Sequence, residues 1–459
     1  MITVRAQRAL CAPASLRVHH LSHARHFATT SSPTQHSPRA AASSPSDTDF
    51  DALVIGAGAG GVTAASLLAK NGYRTLMVEA EDRIGGRAST RPIDGFLVNT
   101  GAFAIELDGA VAKTYRDLGL TLRLHETKRA STVLRFGGRD LNLSEGPAGV
   151  LRRIGPVALA SASKILPFLR PKKGESTRSW LNRLFTRNST IHGIIDNVLG
   201  AMFAARGDDI PAEVLLQYFT KDTSFKRIGF PPGGTIEVWK PLAKYVESNG
   251  GQVWLGSKVS KLIFGPDGQV TGALVRRKDG SEVQVNSKVT VSNIGPLGTV
   301  QLAGPDNFPP DYASRIQRWN DPAAIITVHF TSEKPLASFP FLALIGKARR
   351  MVYAGNFSAP ELQRTPKGWH LYCGASVPIP ARGAFDLEKE KELLFADLRD
   401  QFPGFDQAKV LAVDVTAHEW PAQRAVSGFD ELSFRFELRS DLPLDIPILP
   451  RPPRRTAAT

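Results

Sequence analysis

The sequence predicts an α/β protein, a parallel sheet with helices joined to a second part of α+β character. Three observations carry that prediction. The apolar run Asp51-Ala52-Leu53-Val54-Ile55 reads as a buried parallel strand and leads directly into Gly56-Ala57-Gly58-Ala59-Gly60-Gly61 and the helical pattern of Val62 to Lys70. A second apolar strand, Arg74-Thr75-Leu76-Met77-Val78, ends in Glu79 and completes a βαβ unit. Beyond this unit the texture changes. Apolar residues recur at three- and four-residue intervals in Val111–Leu118, Val150–Leu169, Ser179–Leu184, Ile191–Phe203 and Ala212–Thr220, whereas Ala324–Phe330 and Trp369–Tyr372 alternate as strands do.

With 459 residues, 42% of them hydrophobic and 22% charged, the chain has room for two or three domains, which excludes a small disulfide scaffold and a wholly disordered protein. Lys+Arg number 57 against 43 Asp+Glu, a net charge of +14. Part of that excess lies in residues 1–46, where Arg5, Arg8, Arg17, Arg25 and Arg39 precede the first acidic residue, Asp47. An acid-free, Arg- and Ser-rich leader of this kind is expected to be a disordered transit peptide that directs the chain to the mitochondrion, with a plastid as the alternative, and Arg25-His26-Phe27-Ala28 resembles a processing site. No run of 18 apolar residues suggests a membrane span. Only Cys11 and Cys373 are present, so no disulfide is expected within the folded part, and Cys373 reads as a buried, unreactive thiol. No HExxH or CxxC spacing occurs, so no metal site is expected. Basic residues lack aromatic interleaving, so nucleic acid is not an expected partner.

Gly56, Gly58 and Gly61 occupy the three places of a GxGxxG turn. The first permits the tight turn, the second close approach of a pyrophosphate, and the third packing of helix on strand. Glu79 follows Gly61 by 18 residues, near the spacing at which a carboxylate accepts hydrogen bonds from a ribose. This is a Rossmann-like cradle for a dinucleotide, and both NAD and FAD use it. The following segment, Arg83-Ile84-Gly85-Gly86-Arg87-Ala88-Ser89-Thr90, adds two glycines and two guanidinium groups beside the pyrophosphate and favours FAD.

That segment resembles the R-x-G-G-R-x-x-[ST] motif of the flavin-containing amine oxidase and phytoene desaturase superfamily. The resemblance implies that Glu79 binds the adenosine ribose, while Gly85, Gly86 and Arg87 line the pyrophosphate and flavin side. Glu81 stands where the amine oxidases commonly have an arginine. Gly95–Ala102 is similar to the family's strand and turn beside the isoalloxazine, which brings in Gly101 and Ala102; Phe230-Pro231-Pro232-Gly233-Gly234-Thr235 to the return into the flavin domain; and Val259 to an apolar residue against adenine. Val291-Ser292-Asn293-Ile294-Gly295-Pro296 resembles the exit from that domain. The implied organisation is an FAD-binding domain from residues 51–107 and 230–295, and a discontinuous substrate domain from 108–229, read as helical, and 296–428.

By the same resemblance the protein is an FAD-dependent oxidoreductase that takes hydride from a C–H bond of a hydrophobic, polyene-like substrate or of an amine. No catalytic residue is singled out. Lys347 invites comparison with the lysine that amine oxidases place near the flavin, but a surface position is the stronger expectation; Trp369, Tyr372 and Trp420 are candidates for a substrate wall, with core packing as the competing expectation. Between Arg152 and Arg187 nine basic residues interleave with Ile154, Leu159, Ile165, Leu166, Phe168 and Leu169, a pattern compatible with peripheral contact at an anionic membrane and equally with a solvated helix face. In the family a strand, a Gly-Asp pair and a helix follow the segment that His418-Glu419-Trp420-Pro421 resembles. Residues 429–459 instead contain no glycine and five prolines, which predicts an atypical, disordered tail and opens the alternative of a flavin fold incomplete for catalysis, acting at most as a binding protein. The leader yields a direct prediction. Residues 1–28 fused to a fluorescent reporter should carry it into mitochondria, and a cytosolic or plastid signal would refute the assignment.

Overall fold

In the computed structural model, which describes residues 2–3, 47–126, 133–142, 162, 166–184, 189–221, 227–319 and 323–417, the first apolar run becomes strand Asp49–Ile55. It lies inside a sheet ordered Gln252–Trp254, Thr75–Val78, Asp49–Ile55, Glu282–Ser292, Val270–Arg276, Lys258–Phe264. The first four strands are parallel and the last two join antiparallel. Side-chain alternation decides which face each residue serves. Val54 and Met77 pack against helices Ala59–Lys70 and Ile236–Ser248 with Val62, Ala65, Trp239 and Leu242. Leu53, Ile55, Leu76 and Val78 bury themselves in a second cluster with Val259, Leu262, Ala273 and Val275.

The outer edge of strand Glu282–Ser292 is unevenly covered. Residues 282–286 pair with Val270–Arg276, while Val291 and Ser292 pair with Thr3 and Ile2, so two residues of the expected disordered leader are described as strand. The rest of that leader, and the tail from 418 onward including Trp420, lie outside the described residues.

A second sheet runs Lys409–Thr416, Ile325–Ser332, His370–Ser376, Met351–Asn356, Phe341–Ile345, Val133–Phe136, Arg139–Asn142. Its last two strands correct the expectation of a purely helical first insert. Each is only four residues long, too short for alternation to show, but Gly137 and Gly138 between them have φ of 51° and 83°, the turn that a two-residue hairpin requires. Arg135 anchors this hairpin from a buried position: its guanidinium donates to both carboxylate oxygens of Asp140, at 2.6 and 2.7 Å, and to Gln401 O at the end of helix Leu387–Gln401. Elsewhere the insert is helical as expected, at Ala110–Leu118, Thr177–Leu184, Ser189–Phe203 and Ala212–Lys221; of the helix expected over Val150–Leu169, the described part includes a short 3-10 turn at Pro167–Leu169. The later segment carries helices as well as sheet, at Gly295–Ala303, Pro310–Trp319 and Leu387–Gln401.

Two small sheets connect the halves. Ile228–Phe230 pairs with both Ile105–Glu106 and His125–Glu126, where the chain leaves and re-enters the first domain. Hairpin Thr90–Ile93/Phe96–Asn99 reaches the second sheet through Arg91, whose Nη2 lies 2.5 Å from Asp414 Oδ1. His329 sits beside this pair, Nδ1 3.6 Å from Asp414 Oδ2, and neither of its ring nitrogens has a hydrogen-bond partner. Burial holds the imidazole below the ordinary histidine value of 6.5, hence neutral. Asp414 is also held low: burial pulls upward, but the paired Arg91 guanidinium pulls down.

The sign of the linkage follows. A histidine lowered in the folded state contributes stability that is complete above the unfolded value and is lost as pH falls below 6.5. Urea denaturation should therefore show stability declining from about pH 7 to about pH 5, with a limiting slope of about 1.4 kcal/mol per pH unit. His329→Gln should flatten that decline, and an unchanged slope in the variant would assign the effect elsewhere.

Candidate active site

The first domain ends its parallel strands at the glycine turn. Gly56, at φ +91°, donates to Val78 O, and a Cβ on Gly61 would lie 1.9 Å from Gly56 O, so helix and strand approach as only glycine permits. Gly58 precedes the helix in extended conformation and forms a parallel bridge with Gly85, whose N–H donates to Ala57 O at 2.8 Å. A Cβ on Gly86 would stand 3.3 Å from Gly58 Cα, so the two glycine segments lie backbone against backbone.

Glu79 holds this arrangement from the next strand: Oε2 accepts from Ala57 N at 2.6 Å and Oε1 from Glu81 N at 2.9 Å. The carboxylate thus shapes the turn, a task additional to the ribose contact inferred from its spacing. Arg87 is exposed, and its carbonyl accepts from Ala102 N; a Cβ on Gly101 would come within 2.0 Å of that same carbonyl. Gly56, Gly58, Gly61, Glu79, Gly85, Gly86, Arg87, Gly101 and Ala102 therefore form one continuous structure. Val259 is joined to it at one remove. Its side chain is buried with Ile55 and Val78, two residues beyond Ser257, whose N–H donates to Glu79 O.

Two residues that sequence reasoning passed over complete the cradle. Trp239 donates its indole N–H to Ala88 O and packs against Gly85, where an added Cβ would meet its ring at 2.5 Å. Asn293 lies over the glycine turn, its Nδ2 2.9 Å from where a Gly58 Cβ would be. The only signal was position: Trp239 within an amphipathic helix and Asn293 directly after a strand end.

Immediately after Ala102 the chain places Phe103 in an aromatic cluster drawn from both halves. Phe103 stacks on Phe230 at 6.1 Å, meets Phe357 edge-on at 5.1 Å and lies 5.7 Å from Tyr353; Phe341 stacks on Phe230 at 4.8 Å. Burial raises the Tyr353 phenol far above its usual value, so it stays protonated. Behind this cluster Arg364, 1% exposed, donates to Asn99 Oδ1 and to Pro231 O at 3.5 Å, with its Cζ 4.9 Å from the Phe357 ring centre. Its Nε has no partner, and no carboxylate pairs with it among the described residues. Burial lowers its pKa to about 10, which still leaves it charged.

Trp369 packs at the edge of this cluster, while Lys347 and Tyr372 lie outside it. Lys347 is exposed, Tyr372 is buried among Phe330 and Phe402, and Trp369 packs edge-on against Phe96. Cys373 is buried, its thiol pushed up to about 12 by burial, as expected of an unreactive cysteine. Among the described residues no group of His, Cys, Asp or Glu is arranged to hold a metal, and no helix is long and apolar enough to cross a membrane.

A Rossmann-type parallel sheet with a double glycine cradle, joined to a second sheet through a packed aromatic cluster, defines a dinucleotide-dependent oxidoreductase fold. Residues 59–436 match the family model described as flavin containing amine oxidoreductase, and the chain belongs to that family. It is 24% identical over 298 residues to a 15-cis-phytoene desaturase of Solanum lycopersicum, an alignment covering 56% of this chain and 48% of the relative; the chain spans about half the length of such curated relatives. In fold it is similar to an oxidoreductase of Methanosarcina mazei, with TM-score 0.69 and 22% identity over 82% of this chain and 90% of that one. It is also similar to putrescine oxidase bound to putrescine, with TM-score 0.58 and 17% identity over 80% and 85% of the two chains.

The family implies a flavin, and the residues fit one. The paired glycine segments present backbone without side chains, and Arg83 Nη1, just ahead of Gly85, is buried without a partner, an unspent donor suited to a phosphate. The glycines separate two failures. Gly58→Val should fill the ligand's approach and abolish flavin retention while shifting Asn293 and little else. Gly61→Ala meets backbone at Gly56 O and should lower the melting temperature of the flavin-free protein as well. Undiminished flavin in purified Gly58→Val would count against this cradle.

Proposed function

We propose that this chain is an FAD-dependent oxidoreductase that removes hydride from a C–H bond of an apolar, polyene-like substrate, in preference to an amine. The observation that supports the choice is the aromatic cluster of Phe103, Phe230, Phe341, Tyr353 and Phe357, next to the Gly101–Ala102 turn, with the Arg364 guanidinium behind it and no carboxylate paired to that guanidinium among the described residues. Aromatic faces attract a cation, but here the Phe357 face already carries one. A second positive charge arriving beside this cluster as an ammonium group would be repelled in a low-dielectric setting, whereas a neutral apolar chain packed against its edge would not.

Bound FAD supplies the two-electron acceptor. The protein's own residues do the positioning: the aromatic side chains fix the reacting bond and exclude water, and Arg364 holds Asn99 and Pro231, which flank the Gly101–Ala102 turn and the glycine turn at Gly233. Burial keeps the Tyr353 phenol protonated, so it serves as a wall and not as a base; the proton that must also leave the adjacent carbon when a double bond forms passes to bulk solvent. The acid-free leader supports a mitochondrial site of action.

The alternative of a flavin fold without catalysis draws support from strand Glu282–Ser292, whose outer edge beyond residue 286 is paired, among the described residues, by Ile2 and Thr3 alone. One experiment addresses both readings. Purified protein should be yellow, and anaerobic addition of isoprenoid polyenes should bleach the flavin band while amines do not. Phe103→Ala should slow that bleaching about tenfold or more through lost positioning. Bleaching by amines alone would reverse the substrate preference, and a colourless protein that gains no colour or stability from added FAD would favour the non-catalytic reading.

A further inference from the structure

Independently of the flavin site, the structure assigns a membrane-docking point to the turn at Leu166–Leu169, and we propose that its partner is an anionic bilayer surface. Phe168 is 64% exposed and Leu166 is 42% exposed, the former the most exposed large apolar side chain among the described residues. A single exposed apolar residue needs no explanation. This one is held in place by its neighbours.

The turn's backbone is fastened at three consecutive carbonyls. Arg183 donates to Phe168 O and, at 2.9 Å, to Arg170 O, while the indole of buried Trp180 donates to Leu169 O at 2.9 Å. Two further bonds close the turn itself, Leu169 N to Leu166 O and Arg170 N to Pro167 O. Arg183 is in turn fixed by Glu175 at 2.8 Å. A loose loop would fold its phenyl ring back onto the body; this frame presents the ring outward.

The charge beside the turn selects the partner. Lys172 and Lys173 are exposed and make no ion pair among the described residues, whereas each nearby acid already has a guanidinium partner, Glu175 in Arg183 and Asp196 and Asp208 in a shared Arg178. A second copy meeting this face would bring four ammonium groups together. A layer of phosphate headgroups over hydrocarbon satisfies both features, with the ammoniums at phosphate level and the phenyl and isobutyl groups at the acyl boundary.

The test is flotation of the full chain with vesicles of phosphatidylcholine alone or with one third phosphatidylglycerol. The arginine-rich leader contributes equally to every variant, so ratios to wild type isolate the turn. Binding to the anionic vesicles should weaken about tenfold in Phe168→Ser, consistent with removing one buried aromatic side chain, and about fivefold for each of Lys172→Gln and Lys173→Gln. Phe168→Trp should bind as wild type does. Melting temperatures should be unchanged in all four, since these side chains are exposed. No binding by wild type, equal binding by Phe168→Ser, or equal binding to the two vesicle types would each overturn the proposal. So would loss, in Phe168→Ser, of a self-association seen without vesicles, which would make a second copy the partner.

Discussion

The contact between helix Ala59–Lys70 and strand Asp49–Ile55 at Gly61 and Gly56 is the constraint on which the rest depends. A hypothetical Cβ 1.9 Å from a carbonyl oxygen leaves no room for any side chain. Because the helix is seated this close, its N-terminal amides open at the strand ends. The Gly58–Gly85 bridge can then form, and Glu79 can reach the Ala57 amide. Trp239 packs against the second glycine segment from the opposite side and fixes Ala88, from which hairpin Thr90–Asn99 departs. One backbone contact therefore sets the position of the Gly101–Ala102 turn some forty residues later.

The aromatic cluster beyond that turn belongs to neither half alone. Phe103 and Phe230 come from strands and turns at the exit and re-entry of the first domain, Phe341, Tyr353 and Phe357 from the second sheet. Its geometry is set by the joints between halves: the three-stranded crossing around Ile228–Phe230, the Arg91–Asp414 pair, and Arg364 bonded to Asn99 and Pro231. These joints combine polar bonds with apolar burial, so the relative placement of the halves is directional as well as close.

What was legible in the sequence follows the range of the interaction. The GxGxxG turn, Glu79 and the Arg83–Thr90 segment are short-range patterns whose residue types are dictated by local backbone, and they fell together as expected. Helices over Ile191–Phe203 and Ala212–Thr220 were likewise visible in their own periodicity. Trp239, Asn293 and the aromatic cluster were not, because their partners lie 151 residues away in one case and 237 in another, and a phenylalanine in a cluster that joins the two halves has the same local pattern as one within either half. The Val133–Asn142 hairpin was missed for a different reason: its strands are short, and the Gly137-Gly138 turn that announces it was not weighed.

Arg364 is the charged group of the aromatic cluster. A buried guanidinium is costly unless it is well bonded, and here Asn99, a backbone carbonyl and an aromatic face take the place of a carboxylate. None of these carries a negative charge, so the cluster retains a fixed positive potential. Putrescine oxidase bound to putrescine is similar to this chain in fold at 17% identity. Likeness of fold at that level is silent on substrate, which rests on the particular side chains a chain places around its site.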